Sequence, residues 1–282
     1  MNQLLDWWVA LNAIVIMFAL GAARNEENLH ESWLSWPLVR AVLGYNILIP
    51  TGALAMALSF GWFSSPVITG MALCIAAAGG SSAGAFVAAA GGSGRAASVL
   101  IVCLVGVSVA AINLFSWAGV IDLGDVSFLS LSTYSLAITV VPLLAGISAR
   151  YFIPEHTERA QPSVERLGGL LVGLLILVLA GMYGYDILTG LIEPLIAAVL
   201  LVLVFTVPPM SERAKVWMRS VVLVTLIRNL SLALSLLAIL PEPEQVLPTV
   251  LAFGLCMYVM AAGLLWYWRR LDMTLIAERV QA

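Results

Sequence analysis

Residues 80–84 read Gly-Ser-Ser-Ala-Gly, the Gly-x-Ser-x-Gly spacing with which serine hydrolases present a nucleophilic hydroxyl on a sharp turn. That chemistry needs a base beside the serine, usually a histidine. The two histidines, His30 and His156, fall in polar connections, as does Lys215, so the pattern points away from a hydrolase and from an enzyme of any kind. The same residues give Gly80-x-x-x-Gly84, a small-residue spacing that lets two membrane helices pack closely. A third reading takes in the whole stretch 76–95, AAAGGSSAGAFVAAAGGSGR, with its two pairs Gly79-Gly80 and Gly91-Gly92. Glycine costs about 1 kcal/mol in a helix interior relative to alanine, so paired glycines suggest a broken helix. Broken backbone at membrane depth is tolerated only where protein or a watery cavity covers it. The stretch is therefore a candidate solute site, with Gly79, Gly80, Ser81 and Ser82 at its centre.

Arg228 is the second candidate. It lies eleven residues beyond Trp217 in an apolar run, which at 1.5 Å per residue places it roughly 16 Å into a hydrocarbon core about 30 Å thick. A guanidinium there costs about 2.5 to 3.5 kcal/mol and stays protonated, so it must face the protein interior and find partners. One outcome is an ion pair locking two helices together, with Glu193 as the best acidic candidate; the other is solute binding. Asn229 and Ser231 add donors and acceptors beside it, or serve as interhelical hydrogen bonds.

The elements that must position these residues are membrane helices. Hydrophobic residues make up 62% of the 282 and charged residues 10%, far from the charge content of a soluble domain. About nine apolar segments can be marked, near 5–22, 37–60, 66–95, 96–120, 128–149, 167–184, 187–207, 216–240 and 246–268, in one integral membrane domain. The longest connection falls at 150–166. The first segment has no basic residues before it and is long enough to span, so it is read as a helix and not as a signal peptide. Trp33 and Trp36 suit an interfacial stretch, and Asp122 and Asp125 mark an outer helix end. Basic residues gather in alternate connections, from Arg24 and Arg40 to Arg269, Arg270 and Arg279. The positive-inside rule then puts the N-terminus outside and the tail at 269–282 in the cytoplasm. Cys74, Cys103 and Cys256 sit in apolar segments without ligand spacing and read as buried free thiols. No nucleotide fingerprint, metal cluster or exposed basic domain argues for ATP hydrolysis or nucleic acid.

The segments carrying the glycines and Arg228 stand five spans apart. An odd offset would give two copies of one unit opposite orientations, as in inverted-repeat transporters whose broken helices meet at mid-membrane. The repeats would be 1–120 and 128–268.

Several stretches taken in order resemble the bile acid:sodium symporter family: IMFALGAARNEENLHESW, GYNILIPTGALA, AAAGGSSAGAFVAAAGGSGRAASV, PLLAGISARYFIPEHTERA, IRNLSLALSLLAI and LPTVLAFGLCMYVMAAGLLWYWRR. The resemblance implies a core domain with two crossing broken helices, a panel domain, and a solute site between them that alternates in access. This chain departs from the family where sodium is held. Ala83 and Gly84 stand where the family has Ser-Asn in the first crossing. Val224, then Arg228 and Asn229, stand where it has Glu, then Gln-Asn, in the second. Tyr45 aligns with a family Gln, with Asn46 adjacent. Sodium needs oxygen ligands, and most of those side-chain donors are missing. The expectation is that Arg228 supplies a permanent positive charge to carbonyls exposed by the break.

The resulting expectation is an all-α secondary transporter in the plasma membrane. It carries a small organic anion, uses no cofactor and lacks the family's usual two sodium sites. Its solute site draws on Asn46, Gly79, Gly80, Ser81, Ser82, Arg228, Asn229 and Ser231. The alternatives are a non-transporting scaffold or sensor on the same fold, and a carrier of the auxin-carrier or arsenite-efflux kind.

Overall fold

The computed structural model describes residues 3–22, 41–80, 82–121, 128–190, 192–206, 215–237 and 239–281. Ser81, the tryptophans Trp33 and Trp36, His30, and the acidic pair Asp122 and Asp125 lie outside them. Every regular element among the described residues is a helix. Three stretches, Ala96–Trp117, Trp217–Leu237 and Pro243–Leu271, are long and apolar enough to cross a membrane by length and composition, and shorter apolar helices accompany them.

The helices are α1 (Gln3–Ala22), the π-helical α2 (Ala41–Leu48) running into α3 (Ile49–Ser59), α4 (Ser65–Ala76), α5 (Ala83–Ala89), α6 (Gly94–Trp117), α7 (Phe128–Phe152), α8 (Pro154–Gly190), α9 (Ile192–Thr206), α10 (Lys215–Leu226), α11 (Leu230–Leu237) and α12 (Pro243–Gln281). The glycine-rich segment is thus two half-helices, α4 and α5. The Arg228 segment is likewise two, α10 and α11.

The two glycine pairs have different jobs. Gly79-Gly80 lies in the break itself, where Gly79 has φ +75°. Gly91-Gly92 ends α5: Gly91 has φ +64°, its N–H donates to the Ala88 carbonyl at 3.1 Å, and the Gly92 N–H reaches back to Val87 at 2.9 Å. That pair of bonds is a Schellman cap, which needs a left-handed residue that glycine supplies without a Cβ penalty. Because Gly80 is not helical, the Gly80-x-x-x-Gly84 packing motif does not form. Close helix contact through glycine occurs between α1 and α7, where a Cβ on Gly146 would meet the Ala22 nitrogen at 2.9 Å.

The long connection expected at 150–166 is helical, with only Ile153 between α7 and α8. Pro154 takes the first position of α8, where its missing N–H costs no hydrogen bond and its fixed φ already suits a helix. Both the Thr157 N–H and its hydroxyl return to the Ile153 carbonyl, at 3.1 and 3.0 Å. The tail beyond residue 268 also stays helical, as α12 runs unbroken to Gln281.

Packing places the two broken helices at the centre. Residues 71–80 and 221–234 are buried without exception. Around them α12 lies against α4 and α9, and α6 lies against α4 and α10; α1 packs on α7 and α8. A membrane helix cannot satisfy backbone groups with water at mid-depth, so two interrupted helices have to be innermost.

Candidate functional site

The breaks at 77–80 and 227–229 pair with each other. The Gly80 N–H donates to the Ile227 carbonyl at 3.1 Å, and the Asn229 N–H donates to the Ala77 carbonyl at 2.7 Å. This two-bond crossing requires backbone-to-backbone contact. A Cβ on Gly80 would stand 2.5 Å from the carbonyl oxygens of both Ile227 and Arg228. Glycine is fixed at that position by space, and at Gly79 by its left-handed φ.

The last turn of a helix leaves carbonyls with no intrahelical partner, and nearly all of those at the end of α4 can be accounted for. The Leu73 carbonyl accepts from Ala77 N at 2.8 Å, Ala76 from Ala78 N at 2.8 Å, and Ala78 from the Ser108 hydroxyl on α6 at 3.0 Å. The carbonyls of Cys74 and Ile75 go to one side chain: Arg228 donates from Nε to Cys74 at 3.2 Å and from a terminal nitrogen to Ile75. A cation therefore sits at the negative end of the α4 dipole.

The same guanidinium reaches the π-helical α2, where it donates to Asn46 Oδ1 at 2.7 Å and to the Asn46 carbonyl at 3.4 Å. The Asn46 amide is held in turn by donating from Nδ2 to the Thr225 hydroxyl at 3.2 Å. One face of the guanidinium lies over the Phe205 ring, 4.5 Å from its centroid, and Phe253 meets Phe205 edge-on at 6.0 Å. An aromatic face against a desolvated cation is worth about 2 kcal/mol. Arg228 is only 2% exposed.

Four oxygens thus converge on one positive charge: two carbonyls of α4, and the carbonyl and amide oxygen of Asn46. Oxygens of this kind are what a sodium ion would need, and the guanidinium already takes them. Glu193 does not join them. Its carboxylate accepts the Ser64 N–H at the start of α4, so the expected ion pair with Arg228 is replaced by capping of a helix N-terminus. An acidic group there is favoured by the positive end of the α4 dipole.

The other expected site residues surround the crossing unevenly. Asn229 caps α11, its Oδ1 accepting from Leu232 N at 3.1 Å, while its Nδ2 is buried with no hydrogen-bond partner. Ser231 is buried two residues on, and its carbonyl accepts from the Ser235 hydroxyl. The Ser82 hydroxyl pairs with the phenol of Tyr258 at 3.0 Å. Ala83 is buried and opens α5, Gly84 is half-buried, and Val224 is fully buried on α10. Tyr45 packs against the core beside Asn46. None of these four supplies a side-chain oxygen to the four that face Arg228.

Phe205, Thr225, Met257 and Tyr258 belong to the site and had no sequence signal. Met257 accepts the Arg228 N–H on sulfur at 3.0 Å, and the Tyr258 ring lies tilted against Phe86, centroids 5.8 Å apart. The two are adjacent on α12 and cover the crossing from one side.

A model of the sodium bile acid symporter family matches residues 10–190, which include α4, α5 and Asn46 and end before Arg228. A search of curated proteins finds no match.

Proposed function

The chain belongs to the sodium bile acid symporter family, a family of secondary transporters in the membrane, and from that premise we propose that it carries a small organic anion by alternating access without sodium at the crossing. The observation that carries this reading is the Arg228 guanidinium, whose donors meet the Cys74 and Ile75 carbonyls and both oxygens of Asn46. Two unit charges about 4 Å apart repel by about 4 kcal/mol at the effective dielectric of a protein site. A sodium ion entering beside a fixed guanidinium would face that cost with its oxygens already taken.

The anion follows from the same charge. A permanent cation at mid-membrane, next to an α11 N-terminus capped by Asn229, favours a carboxylate or similar group over a neutral solute. Arg228 does not contact that solute with its engaged donors. The free amide hydrogens of Asn229 Nδ2 are the group that remains to receive it. Nine spans arranged as inverted repeats, with the N-terminus outside, complete the reading; the pairing of two broken helices at 77–80 and 227–229 supports it.

One observation favours a second reading. Asn46, Arg228 and Asn229 are each at most 2% exposed, so the crossing is closed to both sides, as a scaffold or sensor that no longer transports would have it. Reconstituted vesicles separate the two. A carrier takes up labelled organic acids at a rate that is the same with and without an inward sodium gradient. Uptake that rises with the gradient contradicts the sodium-free mechanism, and no uptake of any acid tested leaves the scaffold reading.

A further inference from the structure

Residues 266–270 of α12 read Trp-Tyr-Trp-Arg-Arg, at the point where an apolar helix gives way to a charged one. Successive helix positions turn by about 100°, so three aromatics and two arginines form a band around the helix at one depth. Trp268 is the inward member. It is buried, and the Arg219 guanidinium lies 5.6 Å from its ring centroid. Trp266 and Tyr267 face outward, 61% and 48% exposed, and Arg269 and Arg270 are exposed beside them.

Both arginines are exposed and adjacent in the sequence. Arg270 rests over the Trp266 ring at 5.1 Å, and Arg269 donates to the Ala89 carbonyl at 3.4 Å, the long end of hydrogen bonding. Exposed indole and phenol rings settle at the headgroup level of a bilayer. A planar guanidinium fork there matches the oxygens of a phosphate, and two of them on neighbouring positions match one phosphodiester. The depth set by the aromatics and the charge set by the arginines name the same occupant.

We propose that Arg269 and Arg270, with the Trp266 ring, bind the headgroup phosphate of an anionic phospholipid at this end of α12. The site is separate from the crossing and does not depend on what the protein transports. Because Arg269 also leans on Ala89, the lipid would tie the end of α12 to the end of α5.

Native mass spectrometry of the purified full chain with added phosphatidylglycerol or phosphatidylcholine tests this. The expected result is a severalfold higher bound fraction for phosphatidylglycerol, reduced to the phosphatidylcholine level in the Arg269→Gln/Arg270→Gln variant. The Arg159→Gln/Arg166→Gln variant removes as many exposed charges from α8 and is expected to bind like the original. Equal loss in both pairs, equal binding of the two lipids, or displacement of the lipid by excess inorganic phosphate overturns the proposal. Should the glutamine pair fail to fold, the Arg269→Lys/Arg270→Lys pair keeps the charge and loses the fork. It is expected to bind severalfold more weakly, and unchanged binding by it contradicts the assignment.

Discussion

The two halves of the interrupted helix end in different ways. α4 stops inside the protein with no glycine in a left-handed cap, and its open Cys74 and Ile75 carbonyls are taken by the buried Arg228. α5 stops where Gly91 is exposed, with a Schellman cap closed by its own backbone and the Arg219 guanidinium donating to Ala90 at 2.8 Å. Both ends draw an arginine from α10 or the break that follows it, and both arginines lie over an aromatic ring, Phe205 for one and Trp268 for the other. The difference is in what else is at hand. Where the chain turns at a surface, backbone and glycine close most of the bonds; where it is interrupted at depth, side-chain donors must come from elsewhere in the sequence. Arg228 supplies several at once and brings the charge that the α4 dipole favours.

If that contrast is right, the two ends respond very differently to mutation. Arg228→Ala removes the hydrogen bonds it gives to the buried Cys74, Ile75 and Asn46 acceptors, and is expected to cost about 3 to 5 kcal/mol. A thermal unfolding series in detergent should show it as the largest loss; a midpoint close to that of the original chain would mean that the carbonyls find other donors. Gly91→Ala forces an L residue into the left-handed region at a place with room for the methyl, since the nearest atom is 3.7 Å away. The expected loss is about 1 to 2 kcal/mol from backbone conformation alone. Arg219→Gln removes one carbonyl partner from an end that keeps its glycine cap, for about 1 kcal/mol or less. Should Arg219→Gln destabilise as much as Arg228→Ala, burial would not be what separates the two ends.

Much of the crossing was legible because it breaks the rules of its surroundings. An arginine in the run VVLVTLIRNL and paired glycines in AAAGG stand out against apolar sequence, and their physical costs point to buried partners and an interrupted helix. The expected donation from Arg228 to carbonyls at the break is seen in its bonds to Cys74 and Ile75. The partners were not legible. Phe205 and Met257 are ordinary apolar residues in apolar helices, and in a membrane protein hydrophobicity does not separate the lipid face from the interior. Asn46 lies 182 positions from Arg228, and only tertiary contact brings the two together. Sequence makes Glu193 the best acidic candidate for an ion pair with Arg228, whereas the start of α4 offers it the Ser64 N–H. From sequence the stretch beginning at Pro154 reads as a connection, whereas it is helical, because proline both ends helices and begins them.

The central claim is that the charge of Arg228 occupies the place of a coupling ion. The most direct test is the thermal midpoint of the purified, solute-free protein in sodium chloride against choline chloride at equal ionic strength. A ligand that binds only the folded state raises apparent stability by mass action, by about 2.7 kcal/mol at a hundredfold excess over its Kd. The account predicts the same midpoint in both salts. A midpoint that climbs with sodium concentration and saturates would show a sodium site in the folded protein and contradict it.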